Sequence, residues 1–154
     1  MTEFKKVFMD TAPLIYFFDN DENFGEKTLH IFEELISDKK EIIFSTISCM
    51  EYLVMPYRTE NIEKQEVLFD FIKRYKIDIC SITLEISKKA ARIRAQYPNF
   101  KAMDSIQLAA AVYSGCDVFL TNDIQLKQFK EIKCILVNEW QRHITMPESA
   151  SPLL

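Results

Sequence analysis

The chain has 154 residues, a formal net charge of −4 at pH 7, 48% hydrophobic residues and only two glycines. This length suits one domain with its own hydrophobic core, so a second domain is not expected. The hydrophobic content excludes a disordered chain, the scarcity of glycine argues against a turn-rich all-β fold, and the negative charge argues against a nonspecific polyanion-binding protein. A helix-rich α/β domain is therefore the favoured class.

Localisation can be inferred from the cysteines and the N-terminal region. The chain has four cysteines, which are Cys49, Cys80, Cys116 and Cys134. They form no C-x-x-C pair, and no histidine pair lies near them. This spacing predicts reduced thiols in a cytoplasmic protein. Two lysines precede an apolar N-terminal run, but Asp10 interrupts that run, and acidic residues follow where a signal-peptide cleavage site would lie. No stretch approaches eighteen uncharged apolar residues, so no membrane association is expected.

Predicted strands and helices alternate along the chain. Short apolar runs bounded by turn residues predict strands, and apolar positions spaced three or four apart predict helices. Strands are predicted at residues 5–9, 42–44, 77–79, 118–120 and 134–137. Helices are predicted at residues 11–18, 24–38, 49–55, 62–75, 83–96, 104–114 and 124–129, with a final turn at 139–143. This alternation predicts a three-layer α/β/α sandwich with a central parallel sheet of about five strands.

The domain boundaries follow from the same pattern. A single domain is predicted over residues 1–143, and residues 144–154, which carry two prolines and no periodicity, are predicted to form a flexible tail. Pro56 is predicted to end the third helix, because the residue before a proline disfavours the α conformation. Gly115 is predicted to end the helix that begins near Asp104.

Four acidic residues could form one site: Asp10, Glu51, Asp104 and Asp123. Each follows a predicted strand end or opens a predicted helix, and a parallel sheet can gather such positions at its carboxyl edge. Two like charges 4 Å apart repel by about 4 kcal/mol at an effective dielectric near 20, so a cation must offset the cluster. Carboxylate oxygens favour Mg²⁺ or Mn²⁺ over Zn²⁺, which prefers histidine or cysteine. One or two such ions could assist phosphodiester cleavage without a histidine base.

The same acids also fit ordinary helix-capping roles. Ser48 and Glu51 match the capping box S-x-x-E, in which the glutamate bonds the serine amide. Asp104, with Gln107 three residues later, and Asp123, before Ile124, could be N-caps. Each acid taken alone fits a cap as well as a ligand, and only the set of four favours a metal site.

The charge is distributed unevenly along the chain. Residues 58–101 contain ten basic and six acidic residues, so this segment is net positive while the remainder is net negative. A basic segment beside an acidic pocket suits contact with a nucleic-acid backbone. The candidate contacts are Arg58, Lys88, Arg92 and Lys101. The alternative is that the cations between residues 88 and 94 only solvate the outer face of a helix.

Four motifs together resemble one known family. They are Val7-Phe8-Met9-Asp10-Thr11, Ser48-x-x-Glu51 followed by Pro56, Met103-Asp104-Ser105-Ile106-Gln107-Leu108-Ala109-Ala110-Ala111, and Phe119-Leu120-Thr121-Asn122-Asp123. In order and spacing they resemble the PIN-domain family, and most closely its VapC-like ribonuclease toxins, over residues 5–140. The resemblance implies an α/β/α sandwich, Mg²⁺- or Mn²⁺-dependent RNA cleavage in the cytoplasm, and a homodimer neutralised by a small antitoxin of a type II toxin–antitoxin pair.

Residue roles are also implied by this resemblance. Asp10, Glu51, Asp104 and Asp123 match the family's acidic quartet, and Thr11 and Thr121 match hydroxyl positions that order the site. We expect Thr121 to orient the carboxylate of Asp123. Two other classes stay open: a PIN-like binding module for RNA or a protein without efficient catalysis, and a doubly wound phospho-acceptor domain. The second class would require an aspartate after the predicted strand 77–79, where none is found.

Overall fold

A computed structural model describes residues 3–140 and contains a five-stranded sheet flanked by helices. The strands are β1 Lys6–Met9, β2 Glu41–Ser45, β3 Asp78–Cys80, β4 Val118–Thr121 and β5 Lys133–Leu136. The α-helices of this range are α1 Thr11–Phe18, α2 Gly25–Ser37, α3 Thr46–Arg58, α4 Ile62–Arg74, α5 Leu84–Gln96 and α6 Ala102–Tyr113. Short 3₁₀ helices cover Ile124–Gln128 and Val137–Glu139. The predicted α/β/α sandwich with a five-stranded sheet is confirmed.

All neighbouring strands are parallel, in the order β3-β2-β1-β4-β5. The chain builds outward from β1 to β2 and β3 on one side, and then crosses to β4 and β5 on the other. The strand order therefore reverses at β1, and ligands of open parallel sheets bind beyond the carboxyl ends of strands at such a point. Asp10 directly follows β1 at this position.

The core has two layers because successive strand residues point to opposite faces of the sheet. Val7 and Met9 pack with the aromatic and aliphatic side chains of α1–α4. Phe8 packs with α5 and α6 on the other face, where its ring stacks on Phe119 at a centroid distance of 5.5 Å. Both faces of β1 and β4 are thus covered, which explains why these strands read as continuous apolar runs.

The predicted end of the third helix at Pro56 is wrong, because α3 runs from Thr46 to Arg58. Proline lacks an N–H and disfavours the α conformation in the residue before it, but tertiary packing can outweigh this cost. Pro56 is buried, and its carbonyl accepts the Asn61 N–H at 2.9 Å and the Gln65 Nε2 at 3.2 Å. Buried contacts and these hydrogen bonds hold the last turn in place.

Most other predicted bounds differ from the observed ones by one or two residues. The predicted end of α6 is confirmed, since Gly115 has a φ of +70° directly after the C-cap. The four cysteines are free thiols. In residues 3–140 we find no helix with the length and apolar character needed to cross a membrane. The predicted tail 144–154 and the end of the predicted turn 139–143 lie outside the described residues.

Candidate active site

The four predicted carboxylates line one cavity of about 380 Å³ at the carboxyl edge of the sheet. They come from four separate parts of the chain. Asp10 follows β1, Glu51 lies within α3, Asp104 lies at the start of α6, and Asp123 follows β4. Thr11 and Thr121, the two predicted hydroxyl residues, line the same cavity. The tertiary structure therefore brings together all six residues that the sequence proposed.

Asp10 is the most buried of the four acids, with 9% of its surface exposed. It is the N-cap of α1, and its Oδ1 accepts the Thr11 N–H at 2.9 Å. Its Oδ2 accepts the hydroxyl of Thr121 at 2.8 Å. Asp10 is therefore both a helix cap and a cavity residue, with each oxygen fixed by one hydrogen bond.

The expected role of Thr121 needs correction. Its hydroxyl donates to the carboxylate of Asp10, and it does not contact the carboxylate of Asp123 as predicted. It instead accepts the backbone N–H of Asp123 at 3.1 Å. The reason is geometric: β4 pairs with β1, so the last residue of β4 lies beside the residue that follows β1. Thr121 thus holds the carboxylate of Asp10 and the backbone of Asp123.

The predicted capping box at Ser48 and Glu51 is not formed. The helix begins three residues earlier than predicted, at Thr46, and its N-cap is Ser45, whose hydroxyl accepts the Ser48 N–H at 3.1 Å. Glu51 therefore lies in the second turn of α3, not at a helix start. Its Oε1 accepts the hydroxyl of Thr11 at 2.9 Å. Glu51 is held by a residue of another helix, so the local capping explanation does not apply to it.

Asp104 and Asp123 retain part of the capping character that the sequence suggested. The N-cap of α6 is Lys101, so Asp104 lies in the first helical turn and is not the N-cap itself. Asp123 is the N-cap of the 3₁₀ helix Ile124–Gln128, and its Oδ1 accepts the Gln125 N–H at 2.9 Å. The capping prediction is thus confirmed for Asp123 and wrong for Asp104.

The electrostatics of the cavity favour a bound cation. Burial raises the pKa of Asp10 to about 6, despite the opposing hydrogen bonds from Thr121 and Thr11, and the charges of Asp104 and Glu51 add to the rise. Burial also raises the pKa of Asp104, assisted by Asp123 and opposed by Lys101. A positive ion in the cavity would lower both pKa values again, because a nearby opposite charge favours the ionised carboxylates.

The donor set fits a hard divalent ion, although it is not a closed coordination shell. Among residues 3–140, no three Asp, Glu, His or Cys side chains are close enough to hold a metal ion as they stand. Mg²⁺ usually keeps several waters and needs only one or two direct carboxylates. The four carboxylates and the surrounding hydroxyls therefore suit a partly hydrated ion better than a fully dehydrated one.

The basic residues lie outside the cavity. None of Arg58, Lys88, Arg92 and Lys101 lines it. The charge of Lys101 nevertheless acts on the Asp104 carboxyl, where it opposes the rise in pKa caused by burial. Lys88 forms an exposed ion pair with Glu85 at 3.5 Å, in agreement with the alternative of a solvated helix face.

Sequence reasoning did not assign three polar residues of the site. Gln107 lines the cavity, and its Oε1 accepts the hydroxyl of the buried Ser45. Asn122 also lines the cavity beside Tyr16, whose hydroxyl accepts the Asn122 Nδ2 at 3.2 Å. One signal was available for Gln107. It is a polar residue within an apolar helical run, one turn after Asp104 on the same face.

Neutralising Asp104 separates a ligand role from a role in stabilising the first turn of α6. Because burial and the neighbouring charges of Asp123 and Glu51 disfavour its ionised form, Asp104→Asn should raise the melting temperature of the metal-free protein at pH 7 and reduce its activity. Thermal denaturation in EDTA measures the first effect. A loss of several kcal/mol in stability would instead indicate that the Asp104 carboxylate serves mainly to stabilise the first turn of α6, through its hydrogen bond with the backbone of Lys101.

The sequence model of the PIN domain matches residues 7–132, which is most of the chain. The protein therefore belongs to the PIN-domain family. No curated protein sequence matches the chain.

Several solved structures share the fold. VapBC2 from Rickettsia felis, bound to a promoter DNA fragment, is 15% identical, with 85% of this chain and 98% of that chain covered and a TM-score of 0.67. A toxin–antitoxin complex from Klebsiella pneumoniae is 20% identical, with 82% and 94% covered and a TM-score of 0.64. VapC20 from Mycobacterium tuberculosis, a sarcin-ricin loop cleaving toxin, is 13% identical, with 82% and 98% covered and a TM-score of 0.61. These similarities show that the fold is that of VapC toxins.

Proposed function

We propose that this protein is a ribonuclease that depends on Mg²⁺ or Mn²⁺ and hydrolyses RNA phosphodiester bonds. The observation that carries the proposal is the convergence of four carboxylates from separate parts of the chain on one cavity of a PIN domain. The similarity of the fold to a toxin that cleaves the sarcin-ricin loop supports RNA as the substrate.

We propose separate roles for the four acids. Asp10, Glu51 and Asp104 would hold a first ion directly or through water, and Asp123 would complete the site or help hold a second ion. When bound, the ion would polarise a phosphoryl oxygen and activate a water for attack. The protein itself orients the carboxylates: Thr121 holds Asp10, and Thr11 holds Glu51. Such outer hydrogen bonds keep ligands in the orientation that binding requires.

Contacts to the RNA backbone are proposed for Lys101 first. Lys101 is exposed and close enough to act electrostatically on Asp104, so it could contact a phosphate next to the cleaved bond. Arg58, Lys88 and Arg92 are exposed outside the cavity and could contact more distant phosphates. If Lys101 or these three residues contact phosphates, RNA binding should weaken as the salt concentration rises.

A toxin role is also part of the proposal. Similar structures include VapBC and other toxin–antitoxin complexes, which supports a small antitoxin as the partner of this protein. We further propose a homodimer and a cytoplasmic location. Relief of growth inhibition by co-expression of a neighbouring small gene would test the partner, and light scattering would test the dimer.

The function is tested by incubating the purified protein with a mixed RNA substrate in Mg²⁺, in Mn²⁺ and in excess EDTA. We expect cleavage with either ion, no cleavage in EDTA, and recovery when the ion is restored. Heat-inactivated protein controls for contaminating ions and RNA breakdown. Cleavage that continues unchanged in EDTA would contradict the proposal.

One observation favours a second candidate, a PIN-like binding module with weak catalysis. The carboxylates of the described residues are not assembled as a ready metal site. In that case the protein would bind RNA or a protein partner with no turnover, and chelation would not change the binding. Gel-shift assays with and without EDTA, run beside the cleavage assay, distinguish the two functions.

A further inference from the structure

A network of buried polar side chains is hydrogen-bonded to Glu51, and two of its members, Thr11 and Gln107, line the cavity with it. The amide of Gln107, 2% exposed, donates from Nε2 to Ser48 Oγ at 2.7 Å and to Thr11 Oγ1 at 3.2 Å. Its Oε1 accepts the hydroxyl of Ser45 at 2.5 Å. Thr11 in turn donates to Glu51 Oε1 at 2.9 Å. One glutamine of α6 thus connects β2, α3 and α1 to a single cavity carboxylate.

The direction of each hydrogen bond in this network is determined by its chemistry. An amide oxygen and a carboxylate only accept, so Ser45 must donate to Gln107 and Thr11 must donate to Glu51. Because the Thr11 hydrogen is used on Glu51, Ser48 must be the donor in its 3.1 Å contact with Thr11. Each hydroxyl hydrogen is used once, and no buried side-chain nitrogen or oxygen of residues 3–140 lacks a partner.

This arrangement depends on the orientation of the Gln107 amide. If its oxygen faced Thr11 and Ser48, it would attract their hydroxyl hydrogens, and Glu51 would lose its donor. The Ser45 hydroxyl disfavours this, because it donates its hydrogen to Oε1 of Gln107 while it accepts the Ser48 N–H, and with the amide reversed that hydrogen would lose its acceptor. The network therefore has one favourable direction, and that direction ends at Glu51.

We propose that Gln107 is a positioning residue, which acts through Thr11 to hold Glu51 toward the cavity as a metal ligand. The inference rests on the proposed metal-dependent function. Glu51 has a long side chain and is only partly buried, so without a fixed partner it would lose rotamer freedom on binding an ion. With the network in place, that ordering has already occurred in the folded protein.

A double-mutant cycle on Mn²⁺ binding tests the proposal without RNA. Gln107→Met keeps the length of the side chain but removes both donors and the acceptor. We expect it to weaken Mn²⁺ binding, measured by calorimetric titration, by roughly tenfold in the otherwise unchanged protein. In a Glu51→Ala background, the same substitution should weaken binding by less than about twofold, because the group that Gln107 positions is absent.

A second variant covers the case in which Gln107→Met does not fold. Thr11→Val is nearly isosteric and removes only the hydroxyl that connects Gln107 to Glu51, so the same cycle with Glu51→Ala should give the same coupling. Circular dichroism confirms folding for each variant.

Several outcomes would overturn the proposal. An equal loss of Mn²⁺ affinity with and without Glu51 would show that Gln107 acts on the fold in general, and no loss at all would show that it positions nothing. Mn²⁺ binding without RNA cleavage would overturn the proposed function but not this role. Absence of Mn²⁺ binding in the unchanged protein would overturn both.

Discussion

Asp10→Asn is expected to reduce divalent-dependent RNA cleavage by at least about a hundredfold while the protein stays folded. Asp10 is the most buried acid of the cavity and the one whose ionised form suffers the largest penalty without a cation. Asparagine can still accept the Thr11 N–H through its amide oxygen, so α1 keeps its cap. Single-turnover cleavage rates in Mg²⁺ and Mn²⁺ measure the effect.

The matched control for this prediction is Asp70→Asn. Asp70 is an exposed residue of α4 outside the cavity, so its neutralisation changes the net charge equally without touching the site. We expect the control variant to cleave RNA at the normal rate. A ligand that binds only the folded state raises stability by mass action, so Mg²⁺ should raise the melting temperature of the control but not that of Asp10→Asn. Unchanged RNA cleavage by Asp10→Asn would contradict the assignment of this cavity as the active site.

The second large effect is a fall in the stability of the metal-free protein as the pH rises from about 4 to 6. The pKa of Asp10 is about 6 in the folded protein and near its ordinary value of 3.8 in the unfolded chain. Between these values the folded state binds more protons than the unfolded state, so the free energy of unfolding decreases with rising pH. The free energy of unfolding should fall by about 3 kcal/mol in total, and most of this fall should be complete at roughly pH 6.

Urea denaturation in EDTA at intervals from pH 4 to pH 8 measures this dependence. The difference between the unchanged protein and Asp10→Asn isolates the contribution of Asp10 from that of all other groups. Asp104 acts in the same direction, since burial also raises its pKa. A bound divalent ion should flatten the curve above pH 6, because metal binding requires deprotonated carboxylates. If the free energy of unfolding of the unchanged protein, relative to that of Asp10→Asn, rises with pH over this range, the prediction that burial raises the pKa of Asp10 is contradicted.

The helix boundaries show where local sequence rules fail. Ser48 and Glu51 have the spacing of a capping box, but Ser45 caps the helix, and Ser48 is bound by Gln107, which lies 59 residues away in sequence. A local pattern cannot reveal a competing partner from another helix. Pro56 failed as a helix terminator for a related reason, since its burial and the bonds from Asn61 and Gln65 outweigh the local preference.

The sequence by itself determined the fold class and indicated which four acids line one cavity. Continuous apolar strands alternating with amphipathic helices allow few arrangements other than a covered parallel sheet, and Asp10 and Asp123 follow strands whose carboxyl ends such a sheet places at one edge. Only the tertiary structure decided how the acids are held. The hydroxyl of Thr121 reaches Asp10 because β4 pairs with β1. Gln107 reaches Thr11 because α6 and α1, which pack on opposite faces of the sheet, both begin at the same cavity. These contacts join residues about a hundred positions apart, and a hydrogen bond of that range depends on packing, which no local pattern encodes.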